Sequence, residues 1–393
     1  MSTSSVSDKH DSSASLNLKE PLIFITCFGL FFGFIGYRMG LPNMLSTIMG
    51  TAHDLLLNTA FFLMSLMVIT GALSSLLLEY KIIAVMEKIL SPFMGILYNL
   101  PGRTALAGIM TFFSDNPAIL SFAGNKKFAQ GFKPIQMVSM TNFGTSFGMG
   151  FVVMAFMSSL NLGGDVSAGG AALTGLFAAI CGSIISTRLM QFFCRNETFA
   201  EAHFSNETVI EDSQNEGVVE TVKQDGTAFI RFMDAMLEGG KNGVQLGISI
   251  IPGILIITTI VFMLTMGAPA GGYSGGAYEG IGVLGGLGEA FSSVFYALFG
   301  FESPELIAFP ISTLGSTGAS LSLIPPFIEQ GIIGGNEIAV FTAISMSWSG
   351  FLCTHTCMLD SLGFRTFTGK AILAHTISGI AAGILAHYLY LLF

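Results

Sequence analysis

The chain has few charged residues. Asp, Glu, Lys and Arg make up 10% of its 393 residues, against about 25% in a typical soluble domain. The 16 basic residues form no basic patch, which argues against nucleic acid as a partner. The sequence contains no phosphate-binding P-loop and no nucleophile beside a base, so we expect neither ATP-driven work nor an enzyme. The five cysteines are scattered, mostly in apolar stretches, which argues against a disulfide framework.

Apolar residues are abundant instead. They make up 51% of the chain, and the mean hydropathy is +0.70, so lipid must be the solvent for much of the surface. A membrane-spanning helix needs about 20 apolar residues. We therefore predict an all-α membrane protein with about seven transmembrane helices. The predicted spans are 21–37, 55–78, 134–160, 167–191, 244–266, 337–359 and a last one from 371 to the end.

Two further apolar stretches are interrupted. Residues 102–125 contain Asp115-Asn116-Pro117, and residues 303–327 contain four prolines with serines and threonines between them. Proline breaks the helical hydrogen-bond ladder, and unpaired backbone groups are tolerated at membrane depth only inside protein or beside a wet cavity. We predict two re-entrant helical hairpins, at 102–131 and 303–331. Amphipathic stretches at Tyr80–Asn99 and Leu287–Phe299 are typical of interfacial helices.

The basic residues predict the orientation in the membrane. If the N-terminus is cytoplasmic, only Arg38 of the 16 basic residues falls on the outer side. We therefore expect a multi-pass protein of the bacterial inner membrane with a cytoplasmic N-terminus. The first hairpin then lies on the inner side and the second on the outer side.

The order of elements repeats. Each half has a span, an interfacial helix, a hairpin and two more spans, in opposite orientations, and Phe128–Gly131 echoes Ile328–Gly331. We predict an inverted repeat, which is typical of secondary transporters with a site between the halves. The predicted divisions are a disordered cytoplasmic tail at 1–20, a first repeat at 21–195, an acidic cytoplasmic linker at 196–226 and a second repeat at 227–393.

Polar residues near the predicted hairpins and breaks are candidate binding groups for a solute or an ion. Hydroxyls and backbone carbonyls at interrupted helices can coordinate Na⁺ or hydrogen-bond a polar solute, and an acid at membrane depth usually marks function. For each group the alternative is a structural role, in capping or in helix packing. The candidates are Asp115, Asn116, Asn142, Thr145, Ser146, Ser312, Thr313, Ser316, Thr317, Ser345 and Ser349.

The histidines and cysteines do not predict a metal site or a cofactor. His355 lies two residues from both Cys353 and Cys357, so on a helix its side chain points away from theirs. His375 and His387 are single residues in the last predicted span, where packing is the expected role.

Two stretches carry a resemblance to a known family. Pro304–Ser316 together with Ala343–Gly363 resembles the second nucleoside recognition, or Gate, domain of spore maturation protein B, and Leu77–Gly131 resembles the partner Gate domain of spore maturation protein A. The chain thus resembles a fusion of two Gate proteins, which are similar in topology to concentrative nucleoside transporters. The resemblance implies a substrate and sodium site formed by two hairpins and two partly unwound spans, in a homotrimer.

We therefore predict a secondary active transporter of a small polar solute, coupled to Na⁺ or H⁺ and otherwise without a cofactor. Nucleosides, amino acids or peptides and other polar metabolites remain open as substrates, and so does the direction of transport. The other partners that we expect are membrane lipid and further copies of the chain, in a dimer or trimer. The alternatives are a gated channel and a non-transporting membrane interaction protein.

Overall fold

The fold was analysed in a computed structural model that describes residues 18–114, 132–163, 166–197 and 227–392. These residues form helices and connecting segments, and none of them lies in a strand, which confirms the predicted all-α membrane fold. Asp115, Asn116 and the rest of the first hairpin tip lie outside the described residues. The same holds for nearly all of the predicted tail and linker, so those predictions stay as predictions.

The first half begins with a peripheral helix and continues to the helix that precedes the linker. Its helices are α1 Lys19–Met39, α2 Leu41–Asp54, α3 Phe61–Glu79, α4 Ile82–Phe93, α5 Thr104–Phe113, α6 Pro134–Thr145, α7 Gly150–Ser159 and α8 Ala168–Cys194. A π-helical turn at Leu55–Ala60 joins α2 and α3 into one rod of 39 residues. A second one, Met94–Tyr98, extends α4 after Pro92.

The second half follows the same plan. Its helices are α9 Ala228–Gly253, α10 Thr259–Thr265, α11 Val283–Ala290, α12 Ser292–Phe299, α13 Ala308–Gly315, α14 Thr317–Leu321, α15 Ile324–Glu329, α16 Gly335–Trp348, α17 Phe351–Ser361 and α18 Thr368–Tyr390. A π-helical turn at Ile254–Thr258 joins α9 and α10. Short 3₁₀ turns at Pro304–Ile307 and Arg365–Phe367 precede α13 and α18.

Within the described residues, six helices are long and apolar enough to cross a membrane, or seven if a bent pair counts as one span. They are Lys19–Met39, Leu41–Glu79, Pro134–Ser159, Ala168–Cys194, Ala228–Thr265 and Arg365–Tyr390, and the bent pair is Ser292–Phe299 with Pro304–Gly315. Several predicted bounds differ. The rod predicted at 55–78 starts at Leu41, and the one predicted at 244–266 starts at Ala228, because helical structure extends through polar turns. The span predicted at 337–359 is two helices, α16 and α17.

The element order predicted for a repeat is present. Each half has a rod with a π-helical turn, a shorter helix before the hairpin position, a broken helix and a final straight helix. α6 starts at Pro134, and its counterpart α16 starts at Gly335. The left-handed residues that precede α7 and α17, Met149 and Gly350, are separated by the same number of residues as these two helix starts. The two broken helices therefore correspond in length and in the place of the break.

The two rods cross at a glycine seam. A Cβ atom on Gly71 of α3 would meet the carbonyl of Gly239 in α9, and a Cβ on Gly239 would meet the carbonyl of Gly71. Glycines that let helix backbones approach closely are a recurrent packing device in membranes. This reciprocal contact joins the first half to the second.

Burial separates a central layer from a peripheral one. In the broken helix Pro134–Ser159, 83% of the most apolar 18-residue stretch is buried within the protein, whereas 11% of the corresponding stretch of α1 is buried. The exposed apolar side chains of α1 are those expected to face lipid. The broken helices and the hairpin region thus lie inside a shell of straighter helices, which is where a polar site would have to be.

Candidate functional site

The centre of the molecule contains two helix breaks. α6 ends at Thr145, four residues lead to Met149 in the left-handed conformation, and α7 follows. α16 ends at Trp348, and Ser349 and the left-handed Gly350 precede α17. A break leaves backbone N–H and C=O groups without intrahelical partners, so each break brings polar groups into the interior that need partners from other elements.

Each break is matched by the end of a hairpin arm. The Met149 N–H donates to the carbonyl of Ser114, just after α5, over 3.2 Å. The Gly350 N–H donates to the carbonyl of Thr313, near the end of α13, over 3.4 Å. The two contacts occupy corresponding places in the two halves. The described first arm of each predicted hairpin, α5 and α13, therefore ends beside a break.

Side chains connect the two breaks to each other. Thr317, the first residue of α14, donates from Oγ1 to the Ser349 hydroxyl over 3.2 Å. The Ser349 hydroxyl donates in turn to the carbonyl of Gly148 over 3.1 Å. This relay runs from the second hairpin through the second break to the first break. Sequence analysis singled out Thr317 and Ser349, and the structure places them in direct contact.

The other hairpin candidates line the same region. Ser316 joins α13 to α14 and caps α14 by accepting the N–H of Ala319. Ser312 and Thr313 are buried; the Thr313 hydroxyl bonds the carbonyl of Phe309, whereas the Ser312 hydroxyl has no hydrogen-bond partner in the described part of the chain. Ser312 is therefore a buried hydroxyl with unused hydrogen-bonding capacity, which is costly unless something else binds it.

The candidate hydroxyls on the broken helices are either bonded within their own helix or without a partner among the described residues. On α6, the Thr145 hydroxyl donates to the carbonyl of Thr141, and the Ser146 hydroxyl donates to the carbonyl of Asn142. On α16, the buried Ser345 hydroxyl has no partner among the described residues. Asn142 points away from the breaks, toward α8 and α18, where it donates to Ser186 and to the carbonyl of Ala371.

Two groups that the sequence analysis missed support the second hairpin. The Thr258 hydroxyl, in the π-helical turn Ile254–Thr258, hydrogen-bonds Ser322 at 2.9 Å and the carbonyl of Ala319 at 3.1 Å. π-helical turns inside α-helices are frequent at functional sites. The Pro252-Gly253 pair just before the turn is the sequence signal that indicates it, since a proline within a helix disturbs the hydrogen-bond ladder.

The site is closed in this conformation. Asn142, Thr145, Ser146, Thr313 and Ser345 have no measurable solvent exposure. A groove of about 640 Å³ lies elsewhere, beside α4, lined by Glu87, Lys88, Ser91 and Pro92 among others. Groups of three or more potential metal-ligating side chains do not occur among the described residues.

Comparison with known proteins bears on the fold. No protein-family model matches the chain, and no curated protein matches it. A doubly substituted variant of the transporter CNTnw, solved in an outward-facing state, aligns over 94% of this chain and 84% of its own with a TM-score of 0.50 and 11% identity. A second doubly substituted variant of CNTnw aligns over 95% of this chain and 85% of its own, with a TM-score of 0.46 and 13% identity.

The first of these likenesses shows the fold. The solved structures are of a concentrative nucleoside transporter, so the topology implied by the sequence resemblance is confirmed. Membership of the Gate family itself stays a prediction. The chain is a multi-pass membrane protein with the fold of a concentrative nucleoside transporter.

Proposed function

We propose that this protein is a secondary active transporter of a small polar solute, with its binding site at the two helix breaks. The observation that carries the proposal is the relay from Thr317 through Ser349 to the carbonyl of Gly148. It links one hairpin and both breaks in a buried place, where a structural protein would gain more from apolar packing. The transporter fold supports the same assignment.

The geometry suggests how a solute would be held. The Ser312 and Ser345 hydroxyls are buried without partners in the described part of the chain, and helix ends at the breaks present further backbone donors and acceptors. A polar solute that hydrogen-bonds these groups would recover free energy of about 1–3 kcal/mol for each unsatisfied group. Such a site favours a solute with several hydroxyl, amide or amino groups.

The contacts at the breaks also suggest how access alternates. A backbone hydrogen bond joins the first arm of each hairpin to its break, from the Met149 N–H to Ser114 and from the Gly350 N–H to Thr313. The two contacts lie in different halves of the chain, so one hairpin can separate from its break while the other stays closed. Opening the two sides in turn would expose the site first to one face of the membrane and then to the other.

Coupling to Na⁺ or H⁺ is part of the proposal. Asp115, beyond the end of α5, is the acidic candidate for holding the ion, and it lies outside the described residues. Replacing Asp115 by Asn keeps the size of the side chain and removes its charge. We expect Asp115→Asn to abolish the ion dependence of transport in proteoliposomes. Unchanged ion dependence would remove Asp115 from the mechanism.

Ligand-induced thermal stabilisation tests the site across several classes of solute at once. The purified protein would be heated with nucleosides, amino acids, short peptides and polar metabolites, each in Na⁺, in K⁺ and at two pH values. A ligand present at 100 times its Kd stabilises the folded state by about 2.7 kcal/mol. We expect one solute class to raise the melting temperature, and more so with the coupling ion.

Two serine variants show whether that solute binds at the breaks. Ser349→Ala removes the middle of the relay, whereas Ser361→Ala removes a hydroxyl at the exposed end of α17 that bonds the carbonyl of Cys357, one turn back in the same helix. The stabilisation should disappear in Ser349→Ala and persist in Ser361→Ala. If no solute stabilises the wild type, or if Ser349→Ala responds normally, the proposed site is wrong. Flux that does not saturate with solute would instead indicate a gated channel.

The expected setting of the transporter belongs to the same proposal. The distribution of basic residues supports a cytoplasmic N-terminus in a bacterial inner membrane. The resemblance to Gate proteins and concentrative nucleoside transporters suggests a homo-oligomer. Cross-linking in native membranes would test the homo-oligomer. Labelling of cysteines introduced at each end of the chain would test the orientation in the membrane.

A further inference from the structure

A buried polar cluster lies beside the second break, away from the Thr317–Ser349 relay. It consists of His355 on α17, His375 on α18, Ser186 on α8 and Asn142 on α6. The rings of His355 and His375 are 4.8 Å apart, centroid to centroid, and neither side chain is exposed to solvent. Five helices meet here, because the carbonyl of Ser347 in α16 completes the cluster.

Hydrogen bonds set the tautomer of neutral His375. Its Nε2 faces the carbonyl of Ser347, which can only accept, so Nε2 carries the hydrogen. In the neutral ring Nδ1 is then an acceptor, and it lies 2.9 Å from the Ser186 hydroxyl, which donates to it. The Ser186 oxygen accepts from Nδ2 of Asn142 over 3.0 Å. The chain of bonds is complete with His375 neutral, so His375 is a positioning residue.

The ring of His355, in contrast to that of His375, has no hydrogen bonds to the described residues. Neither of its ring nitrogens has a hydrogen-bond partner among the described residues, although the side chain is completely buried. The Asn142 Oδ1 atom also lacks a partner there. A buried polar group without a partner loses its hydration and gains no hydrogen bond in return, and an apolar residue would avoid that cost. The cluster thus contains a basic nitrogen and an acceptor oxygen that this conformation does not use.

No described counter-charge faces His355. The helices packed against α17 are α6, α13 and α18, together with the 3₁₀ turn Arg365–Phe367. α6 and α13 contain no titratable side chain. α18 contributes His375, with Lys370 bonded to Glu197 further away, and Arg365 pairs with Asp360 at 3.7 Å on the exposed end of α17. Cys357 on α17 itself is exposed. An imidazolium at His355 would therefore be unpaired while the cluster is closed.

We propose that His355 is a proton-binding residue of the transport cycle, and that it takes up a proton when the second break opens to water. The proposal rests on the proposed transport function and names H⁺ as a coupling ion. α17 begins at Phe351, directly after Gly350 of the break, and contains His355. A charge on His355 would disfavour its close packing against α18. The proton therefore binds the open state better, and by linkage it shifts the population toward that state. Closing the break would return the proton to solution.

The single tryptophan of the chain reports on this cluster. Trp348 Nε1 donates to the carbonyl of His375 over 3.2 Å, and the indole stacks on Phe351. The Phe351 ring contacts both histidine rings. Because Trp348 and His355 both contact the Phe351 ring, a change in packing when His355 is protonated should alter the tryptophan emission.

The test is a pH titration of tryptophan fluorescence in lipid nanodiscs, between about pH 8 and pH 5, which brackets the ordinary titration range of imidazole. We expect a reversible change in emission in the wild type and in the control His53→Gln, whose imidazole is exposed on α2. The transition should be absent in His355→Gln. Emission that does not change in the wild type, or a transition that persists in His355→Gln, would contradict the proposal.

A second measurement does not depend on the variant folding. In ¹⁵N-histidine NMR of the folded wild type, a buried imidazole should titrate, and His375 should keep its hydrogen on Nε2 throughout. If only exposed histidines titrate, His355 is not a proton site.

Proteoliposomes containing a pH-sensitive dye test the transport proposal and the His355 proposal separately. Solute uptake without proton movement would contradict the role of His355 and leave transport intact, whereas a titrating His355 without uptake of any solute would contradict transport alone.

Discussion

The break in the first half and the break in the second half have the same backbone shape but different residues. Met149 and Gly350 occupy equivalent positions, with φ of 56° and 65°. A side chain in this left-handed region costs about 1–2 kcal/mol, whereas glycine adopts it freely. Met149 is buried in the core, so packing holds the first break in shape. The second break depends on a residue that tolerates the conformation.

The hydroxyl groups near the two breaks also differ, in whether they have hydrogen-bond partners. The hydroxyls of Thr145 and Ser146 in the first half are bonded within their own helix. Ser345 and Ser347 in the second half are buried without partners in the described part of the chain. At the break the first half thus uses these hydroxyls to define its own helix, whereas the second half keeps these two unused.

The largest expected effect concerns the glycine seam, where the two halves are in contact. A Cβ on Gly239 would lie 2.6 Å from the Ser75 hydroxyl and would meet the Gly71 carbonyl. Gly239→Ala should therefore push α3 and α9 apart and lower the free energy of unfolding by about 3 kcal/mol. Thermal unfolding in detergent measures the change.

The next residue provides the control. A Cβ on Gly240 would lie 3.6 Å from the Val68 side chain, an ordinary contact. Gly240→Ala should change stability by less than about 0.5 kcal/mol. Equal effects at the two positions would mean that the seam does not set the distance between the halves.

Much of this architecture was predictable because interruptions leave strong local signals. Prolines with serines and threonines within an apolar stretch indicated the second hairpin. The resemblance to Gate proteins implied the topology that the solved transporter shares. Candidate residues Thr317 and Ser349 were identified for the same reason: they lie where a helix cannot continue.

The buried cluster was not predictable in this way. Asn142, Ser186 and His375 lie on three helices far apart in sequence, and only tertiary packing brings them together. From the sequence, His375 therefore favoured a packing role, whereas the structure shows two hydrogen bonds to its ring. The start of the long rod at Leu41 was missed because α2 is too polar to resemble a span by itself.

The connection that follows each rod provides the second prediction. In the first half, two residues separate α3 from α4, whereas in the second half a loop separates α10 from α11 and docks on α2. There Ser46 donates to the carbonyl of Gly275, and Thr51 accepts from the N–H of Tyr278. The Glu279 carboxylate holds the loop by accepting from the Ser274 hydroxyl and from the N–H groups of residues 274–276.

These bonds set the charge state of Glu279. Burial alone would raise the pKa of its carboxyl, but the hydrogen bonds outweigh burial and hold the pKa below its ordinary value. The resulting stabilisation is present at neutral pH and is lost as the pH falls through the lowered pKa. Glu279→Gln should therefore cost about 2 kcal/mol at pH 7, and the difference from wild type should shrink on acidification. Melting temperatures across the acid range measure this.

A matched substitution separates the loop from a general effect of charge. Glu289→Gln removes a carboxylate from the exposed face of α11, and we expect little change in stability at any pH. If Glu279→Gln keeps a constant deficit as the pH falls, the carboxylate does not lock the loop, and the two connections differ only in length.

The smallest expected effect tests the contrast in polar groups at a single pair of equivalent positions. Ser146 and Ser347 are equivalent positions, because each lies three residues before the left-handed residue of its break, Met149 or Gly350. The Ser146 hydroxyl donates to the carbonyl of Asn142 over 3.0 Å, whereas the Ser347 hydroxyl has no partner within the described residues. Ser146→Ala should lower stability by about 1 kcal/mol, and Ser347→Ala should leave it unchanged or raise it slightly, because an unpaired buried hydroxyl is removed. Unfolding of both variants in the same detergent checks the signs. If Ser347→Ala is the more destabilising of the two, the second half does not hold unused polar groups, and the division of roles between the halves is wrong.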